Sequence, residues 1–451
     1  MTTTVRDFGA HGDGRTDDTA AISHAVQQEG GQLFFPRGDY RISRPIYIPL
    51  AQVGRLSIAG QGGTAKLLME GHGPALHIVG SHRRSANPAD FVADVWRQER
   101  FPLIQDLEIE GRHPEADGIR LEGVMQPTLQ CLLIRRCRNG VHLTTRDRNV
   151  LITDCHIYDC SGVGIFLDRL NLHQINITGN HISYCQRGGI VIAGSEIRNL
   201  QICGNDIEYN HDLKAETSAD ILFDCREGTV REGTIVGNTI QAVASPGGAN
   251  VRLLGSAEHP NAVGLFAITG NLIGSQETVL HLQACRGVVV SGNCLYSGRQ
   301  FAIRAEDAEH LVIGPNSNDH NPQYKGASTD RILLQNCRNV TVTGLVQQHT
   351  LLAEGEPSAS FEVAGCRNIS ITGCQIVNAR QRGIWLRQSE IVRVADCTIH
   401  GRAEDATYRA AVEVTADCRH VMIVNNILGK GSVADWIMPK DVGAASGNML
   451  I

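Results

Sequence analysis

The stretches NVLITDCHIYDCSGVGIFLDR (149–169) and INITGNHISYCQRGGIVIAG (175–194) follow one pattern. Each contains a short alternating strand, a polar corner, an apolar residue, a turn, and then a strand that begins with Gly-Ile. Two or three short strands in each unit, with no helix-length pattern between them, are typical of the coils of a parallel β-helix. Such a solenoid grows along one axis because each coil contacts only its neighbours.

From residue 101 onward the unit recurs with a period of roughly 22 to 33 residues, within the range of solenoid repeats. Alternate residues point inward, so Ile165 and Leu167 are expected to stack on Ile190 and Ile192 one coil away, about 4.8 Å along the axis. Asparagines recur at one corner, where stacked amides can satisfy one another and the turn backbone. This predicted ladder comprises Asn180, Asn205, Asn238, Asn271 and Asn293. The sequence therefore predicts an all-β parallel β-helix of about thirteen coils over residues 45–451.

Composition and charge narrow the classes of function. The chain has 451 residues, a net charge of -6 and no lysine-rich stripe, so nucleic acid is not an expected partner. No stretch approaches about 18 uninterrupted apolar residues, and the N-terminus lacks the basic and apolar regions of a signal peptide. We therefore expect no membrane association and a cytoplasmic location, with secretion as the alternative if a leader has been removed.

The 14 cysteines recur at equivalent places in the repeat rather than in dense pairs. Those that precede arginine at the same strand end are Cys225, Cys285, Cys337, Cys366 and Cys418. A buried thiol behaves as a small hydrophobic side chain, so we predict reduced core thiols, which fits a reducing compartment. No Cys-x-x-Cys pair occurs, and the sequence predicts neither a metal site nor a cofactor.

The open end of a β-helix needs a cover, because its unpaired strands would template aggregation. In GDGRTDDT (12–19), Thr16, Asp17 or Asp18 can cap a helix near residues 17–28. The stretch FFPRGDYRIS (34–43) is then predicted to form the first strand. The two aspartates are therefore interpreted as capping residues rather than as an active site.

These two motifs resemble the N-terminal cap of the pectate lyase superfamily, the right-handed β-helix enzymes that act on polysaccharides. The resemblance implies a right-handed coil, a cap over residues 1–44, a poly- or oligosaccharide substrate, and a site on the outward face of one sheet. Related enzymes include trimers, and Phe166, Trp385 and the insertion at 81–100 offer surface that a monomer does not need. We therefore expect a homotrimer.

Enzymes that this chain resembles commonly carry carboxylates at or beside the Gly-Ile-x-Leu strand. Asp168 and Asp224 occupy the same outward slot two coils apart, with the small Ala193 between them. Strand spacing then separates their backbones by about 9 to 10 Å. Carboxylates roughly 6.5 to 9.5 Å apart are typical of inverting glycosidases, and a separation near 5 Å of retaining ones, so the pair fits inversion better. Arg252, one coil beyond Asp224, favours the ionised form there, so Asp168 is the predicted acid and Asp224 the base or nucleophile.

The longest turn among the central coils, EYNHDLKAETSAD (208–220), offers further groups, since long loops on a rigid scaffold carry binding residues. Glu216 and Asp220 are the alternative catalytic carboxylates. Asp220 directly precedes Ile-Leu-Phe, where the polygalacturonases that this chain resembles carry a catalytic aspartate, although their Arg-x-Lys signature is missing here. Glu208 and His211 are candidates for binding substrate.

Four other side chains in the predicted columns are candidates for substrate binding. Arg252 and His142 can orient a hydroxyl group of a sugar or bind the carboxylate of an acidic sugar. Arginine suits a carboxylate better, because its planar guanidinium group can donate two parallel hydrogen bonds. His281 can act in proton transfer, and Phe166 can stack on a sugar ring.

The leading hypothesis is a carbohydrate-active enzyme that cleaves a glycosidic bond by carboxylate acid/base catalysis. One alternative is a lyase acting by β-elimination next to a uronate carboxylate, for which Lys214 and Arg252 are the nearby cations. Another is an intramolecular fructotransferase, because inulin fructotransferases resemble this chain in size and in their stacked coils. The non-enzymatic alternative is a glycan-binding β-helix of the tailspike kind.

Overall fold

The computed structural model describes residues 3–28, 31–83, 87, 92–214, 218–321, 323, 328–348, 359–402 and 406–451. By their internal contacts they fall into two compact units, Met1–Asp212 with Asp220–Gly233, and Leu213–Ala219 with Thr234–Ile451. In each unit, short parallel strands stack on three faces, which we call faces A, B and C in the order in which a coil visits them. The predicted all-β parallel β-helix is confirmed.

In the first unit, every face is a ladder of parallel strands. The strands of face A are Ile46–Pro49, Gly73–Val79, Ala116–Glu122, Val141–Thr153, Ile165–Thr178, Ile190–Ala193 and Ala219–Asp224. Those of face B are Gly31–Phe35, Leu56–Gly60, Leu103–Gln105, Thr128–Gln130, Glu196–Cys203 and Thr229–Val236, together with the second halves of the two long strands of face A. Those of face C are Asp13–Asp17, Gly38–Ile42, Ala65–Met69, Glu108–Gly111, Leu133–Arg135, His156–Tyr158, His181–Ser183 and Asp206–Glu208.

The second unit repeats the three ladders. Face A comprises Ala249–Leu254, Thr278–Gln283, Phe301–Glu306, Arg331–Gln335, Ala359–Ala364, Arg382–Arg387, Ala410–Val414 and Trp436–Ile437. Face B comprises Val263–Thr269, Cys285–Ser291, Glu309–Ile313, Arg338–Thr343, Arg367–Thr372, Glu390–Ala395, Arg419–Val424 and Gly443–Ser446. Face C comprises Thr239–Gln241, Leu272–Gly274, Cys294–Tyr296, Ser317–Asp319, Val346–Gln348, Gln375–Ala379, Thr398–Gly401, Ile427–Leu428 and Met449–Leu450.

The number of coils exceeds the predicted number. Among the described residues, face A has seven strands in the first unit and eight in the second, against a prediction of about thirteen coils. The coil that starts at Gly73–Val79 is not apparent from the repeat pattern, because a long insertion separates this strand from the next one, Leu103–Gln105. The last coil is not apparent either, because its face A strand, Trp436–Ile437, has only two residues.

Helical segments are short in the described chain. They are the 3-10 helix Val5–Phe8, the α-helices Thr19–Gln28 and Leu50–Val53, and the π-helix Val95–Glu99. The predicted capping helix is Thr19–Gln28, which buries Ile22, Ala25 and Val26. Among the described residues, no helix has the length and apolar character needed to cross a membrane.

Asp17 and Asp18 hold this cap together, as the sequence predicts. Asp17 accepts hydrogen bonds from the backbone N–H of Thr19 and, across the cap, from the hydroxyl of Ser43. Burial opposes the ionisation of Asp17, but the hydrogen bonds from Ser43 and Thr19 outweigh it and lower its pKa to about 2. Asp18 is buried and accepts from the backbone N–H groups of His11 and Gly12. Both carboxylates therefore accept hydrogen bonds from other residues of the cap.

The core of each unit consists of stacked aliphatic side chains and an asparagine ladder. Ile165 pairs with Ile190 on the next coil and both are fully buried, and burying such a side chain stabilises the fold by about 1.5–3 kcal/mol. In the first unit, Asn180 donates through its backbone N–H and its Nδ2 to Oδ1 of Asn205, both at 3.0 Å. In the second unit, the same double contact links Asn238 to Asn271, Asn271 to Asn293, and Asn293 to Asn316. The predicted ladder is confirmed within each unit.

The cysteines are free, and most of them lie inside the coils. Eleven of the 14 are buried, Cys203 is half-buried, and Cys131 and Cys294 are exposed. Burial raises the pKa of the Cys285 thiol to about 12 and also raises that of Cys137, which removes the reactive thiolate near neutral pH. The prediction of buried core thiols is confirmed for these eleven side chains.

We expect thiol reagents to label Cys131 and Cys294 rapidly in the native protein, Cys203 more slowly, and the remaining cysteines only after denaturation. Intact mass measured before and after denaturation counts the labels. Rapid labelling of about ten or more native thiols would mean that the buried cysteines are not stacked in the core as described.

Candidate functional site

Face A of the first unit carries two outward columns of side chains. Phe166 pairs with Val191 in the central column, and Asp168 pairs with Ala193 in the neighbouring column. Ala193 pairs in turn with Asp224. Asp168 and Asp224 therefore occupy one slot two coils apart, and only the methyl side chain of Ala193 stands between them.

A cleft of about 600 Å³ opens over this slot. It is lined by Phe166, Asp168, Arg169, Ala193, Gly194, Asp224, Arg226 and Glu227. An aromatic ring, carboxylates and guanidinium groups thus share one depression, which combines an apolar surface with a few polar groups that can orient a ligand. Because strands one coil apart are separated by about 4.8 Å, the cleft is long enough for a ligand to lie between the two aspartates.

Asp168 lies between a histidine and an arginine. His142 Nε2 is 3.4 Å from Asp168 Oδ2, and Arg169 Nε is 3.3 Å from Oδ1. The His142 ring stacks on Phe166, with ring centroids 5.3 Å apart and planes inclined by 15°. Burial, assisted by the charge of Arg120, lowers the pKa of His142, so this imidazole is neutral near pH 7. The predicted contacts His142 and Phe166 are therefore beside Asp168 in the structure.

Asp224 is held ionised by a neighbouring arginine. Arg226 Nε donates to Asp224 Oδ1 at 2.8 Å, and Arg226 Nη2 donates to Oδ2 at 2.6 Å. The hydrogen bonds and the charge of Arg226 hold the pKa of Asp224 below its ordinary value, against the effect of burial. This effect was predicted for Arg252 and not for Arg226. Arg226 lies in the turn that follows the strand, where strand alternation does not specify side-chain direction.

Among the described residues, the structure does not bring Asp220 or His211 to the cleft. Asp220 is buried, and its Oδ1 accepts the backbone N–H of Asn210 at 3.0 Å, so it serves the turn rather than the open face. Glu216 lies outside the described residues. His211 is half-buried, and burial lowers its pKa. Neither Asp220 nor His211 lines the cleft.

Glu208 lies on face C, in a group that the sequence analysis did not identify. His181, Asp206 and Glu208 each offer a ligand atom within 4.8 Å of the others. His181 pairs with Asp206 in register, and Nε2 of the histidine is 4.0 Å from Oδ2 of the aspartate. Burial and a hydrogen bond with Glu208 raise the pKa of Asp206. Among the described residues this is the group that could hold a metal ion, and register pairing one coil apart was the signal for it.

Arg252 and His281 belong to a charged network on face A of the second unit. Arg252 Nε donates to His281 Nδ1 at 3.1 Å, and His281 Nε2 lies 3.0 Å from Glu306 Oε2. Arg304 Nη2 donates to Glu306 Oε1 at 2.8 Å. The hydrogen bond from His281 and the contact with Arg304 lower the pKa of Glu306 to about 2, whereas burial lowers the pKa of Arg252 to about 10. The two predicted binding residues thus form one network with an acidic partner.

Comparison with known families supports the fold and the cap. Residues 95–252 match the family model of the right handed β-helix region. Residues 2–69 match the model described as rhamnogalacturonase A/epimerase, pectate lyase-like, and this match contains both cap motifs. The predicted resemblance to the pectate lyase superfamily, with its right-handed coil, is confirmed.

Similar proteins match over limited lengths. Alginate lyase 7 of Azotobacter vinelandii is 49% identical over 126 residues, which cover 25% of this chain and 13% of that protein. A glucan 1,3-beta-glucosidase of Cochliobolus carbonum is 43% identical over 67 residues, or 13% of this chain and 8% of that protein. The chain therefore spans only a small part of the curated relatives that it matches.

Among solved structures, the pre-mature bacteriophage phi29 gene product 12 matches 99% of this chain and 56% of its own. Its TM-score is 0.50 and its sequence identity is 14%. At this identity the likeness concerns the fold alone.

Proposed function

We propose that this chain, a right-handed parallel β-helix protein of the pectate lyase-like superfamily, is a carbohydrate-active enzyme that cleaves a glycosidic bond in the face A cleft of its first unit. The observation that carries the proposal is the pair Asp168 and Asp224, in one slot two coils apart, in a cleft of about 600 Å³. Glycoside hydrolysis needs two carboxyl groups on either side of the scissile bond. The similarity to a glucan glucosidase supports the same chemistry.

In the proposed reaction, Asp168 donates a proton to the glycosidic oxygen as the bond from that oxygen to the sugar C1 breaks. Asp224 takes a proton from a water molecule whose oxygen bonds to C1 from the opposite side. Asp224 suits the base role because Arg226 keeps it ionised. The backbone separation of about 9 to 10 Å over two coils leaves room for that water, as inversion requires.

Two neighbours of Asp168 support the proposed role. The exposed face of Phe166 borders the cleft and can stack on a sugar ring. His142 stacks on Phe166 and so holds that ring in place, and its Nε2 lies 3.4 Å from Asp168 Oδ2. Neutral His142 adds no further positive charge to that of Arg169 beside the proton that Asp168 must transfer.

A lyase acting on a uronate chain is the second candidate, and the guanidinium groups of Arg169 and Arg226 in the cleft favour it. Arg169 would neutralise the uronate carboxylate while ionised Asp224 removes the proton from C5. The electron pair would form the C4–C5 double bond, and the C4–O bond would break. The similarity to alginate lyase 7 supports this chemistry.

Product analysis separates these candidates. We expect the purified protein to shorten at least one polysaccharide in a panel of β-1,3-glucan, inulin, pectate and alginate, and the new ends to be saturated and reducing. Ultraviolet absorbance from an unsaturated end would identify the lyase reaction, and a cyclic disaccharide from inulin would identify a fructotransferase. Recovery of every polymer intact after long incubation would contradict an enzymatic function and leave glycan binding.

Assembly as a homotrimer stays a prediction. Phe166, one of the side chains that suggested a subunit contact, borders the cleft instead. Trp385 lies between Arg382 and Arg387, whose guanidinium carbons are each 4.5 Å from its ring centroid. Neither side chain therefore needs a subunit partner to account for its position.

A further inference from the structure

A second groove lies on face B of the first unit. It has a volume of about 470 Å³. It is lined by Phe101, Gln126, Thr128, Asn149, Val150, Leu151, Gln174, Asn176, Asn199 and Gln201. We call it the amide groove, because six of these ten side chains are asparagine or glutamine. None of the residues that line it lines the face A cleft.

The amides stand in rows because the coils are in register. Thr128 pairs with Leu151, Leu151 with Asn176, and Asn176 with Gln201. A row advances by about 4.8 Å along the helix axis with each coil. In this row Leu151 is apolar, Asn176 and Gln201 are amides on two successive coils, and Thr128 adds a hydroxyl group, so a ligand that follows the axis meets two neighbouring amides beside an apolar side chain.

These amides are available for a ligand. In the part of the chain that the structure describes, the side chains of Gln126, Gln174, Asn176 and Gln201 accept and donate no hydrogen bonds. Gln130 on the same face differs, because its Nε2 donates to Gln105 Oε1 at 2.8 Å. Each unused amide offers two donor hydrogens and an acceptor oxygen, a combination that matches neighbouring hydroxyl groups of a sugar.

The groove is uncharged and has an aromatic side chain. No Asp, Glu, Lys, Arg or His is among its lining residues. Phe101 is 58% exposed and Leu151 is 41% exposed, so an apolar surface lies beside the amides. Amides with an exposed ring suit a polyhydroxylated ligand with apolar C–H faces, whereas a charged chain would find no counter-ion among the lining side chains. The nearby guanidinium of Arg148 is buried and donates to Asn149 Oδ1 at 3.2 Å.

We propose that the amide groove binds an uncharged oligosaccharide stretch, and that it holds a neutral polysaccharide on the protein at a place separate from the cleavage cleft. The inference rests on the proposed function only in taking a carbohydrate as the ligand. It deepens that proposal because it selects a neutral glycan over a uronate chain.

The test uses Asp168→Asn protein, so that ligand is not consumed, and measures binding of β-1,3-glucohexaose, β-1,4-glucohexaose and inulin-derived fructohexaose by calorimetry. We expect at least one of them to bind, and a hexamannuronate of equal length to bind at least about tenfold more weakly. The double variant Gln174→Ala/Asn176→Ala should weaken binding of the neutral ligand about tenfold, because two hydrogen bonds are lost. Phe101→Ala should weaken it to a similar degree.

Gln375→Ala is the matched control, because Gln375 is an exposed outward amide on face C of the second unit. Failure of all three hexaoses to bind, tighter binding of hexamannuronate, or equal affinity of the groove variants and the control would each overturn the inference. In protein with Asp168 restored, the groove variants should raise KM for the polymer and leave kcat unchanged. A lack of cleavage by the unmodified protein would contradict the proposed function while leaving the binding result intact, so the two failures can be told apart.

Discussion

Asp168→Asn and Asp224→Asn are each expected to lower kcat on the cleaved polysaccharide by about 10²- to 10⁴-fold, the usual contribution of a positioned acid or base. Asparagine keeps the size of the side chain but can neither give nor take the proton. Turnover measured on the substrate found in the panel, beside circular dichroism and melting temperature, checks this. The fold should remain, since both side chains are partly exposed and their ion pairs contribute only about 0–1 kcal/mol.

The matched control for this pair is Asp396→Asn. Asp396 is also an outward aspartate, it lies 4.0 Å from Arg393, and its side chain is 57% exposed. We expect this variant to keep full activity. Folded Asp168→Asn and Asp224→Asn proteins that both keep nearly normal turnover would show that the chemistry lies elsewhere, with the 208–220 loop as the next place to search.

The sequence repeat was sufficient to predict that Asp168 and Asp224 lie in the same outward column. A period-two strand pattern, once aligned between coils, determines which side chains face outward and which are neighbours, so Asp168, Ala193 and Asp224 could be placed in one column. The cap could be predicted for a similar reason. Asp17 and Asp18 directly precede the helix that begins at Thr19, which indicates their role, but their partners Ser43 and His11 lie elsewhere in the cap.

The sequence repeat did not predict the contacts of side chains at or beside the corners of a coil, where the alternation of inward and outward side chains no longer applies. Asp220 stands next to buried Ile221, and alternation would direct its side chain outward. It is instead buried near the beginning of the strand Ala219–Asp224, just after a corner, and accepts the backbone N–H of Asn210. The contact between Arg226 and Asp224 is likewise set by the bend after the strand. Corner geometry depends on individual backbone angles, which a strand pattern does not specify.

The groups on faces B and C are not apparent from the outward columns of face A. The residues that line the amide groove come from several coils, and they become neighbours only when the coils are stacked. The same is true of His181 with Asp206. Reading the outward columns of all three faces would have found both, since register alone brings them together.

The second large effect concerns Asp147, which carries an inward carboxyl group in an apolar stack. Asp147 pairs with Leu172 on the next coil, and Leu172 pairs with Ile197. The backbone N–H of Val124 donates to Asp147 Oδ1 at 2.8 Å, whereas Oδ2 is buried without a hydrogen-bond partner. Burial outweighs the hydrogen bond from Val124 and raises the pKa of Asp147 to about 8.

The sign of the pH dependence follows from this shift. Between its ordinary pKa of 3.8 and about 8, Asp147 keeps a proton in the folded protein that it loses on unfolding. The unfolded state therefore binds fewer protons, and the free energy of unfolding decreases as the pH rises, by up to about 1.4 kcal/mol per pH unit. Below this window Asp147 contributes no slope, and above it the full destabilisation, about 6 kcal/mol at most, is present.

Asp147→Asn should remove this slope, because the amide is neutral at every pH and its Oδ1 can still accept the N–H of Val124. We expect the variant to match the unmodified protein within about 1 kcal/mol near pH 4.5 and to exceed its stability by several kcal/mol near pH 8.5. Urea unfolding at pH 4.5, 6.5 and 8.5 measures the difference, and the exposed-site variant Asp396→Asn serves as the control that leaves the slope unchanged. Equal pH slopes for Asp147→Asn and the unmodified protein would mean that the Asp147 carboxyl group reaches water or a cation in solution. The apolar stack around it would then be open at this corner of the coil.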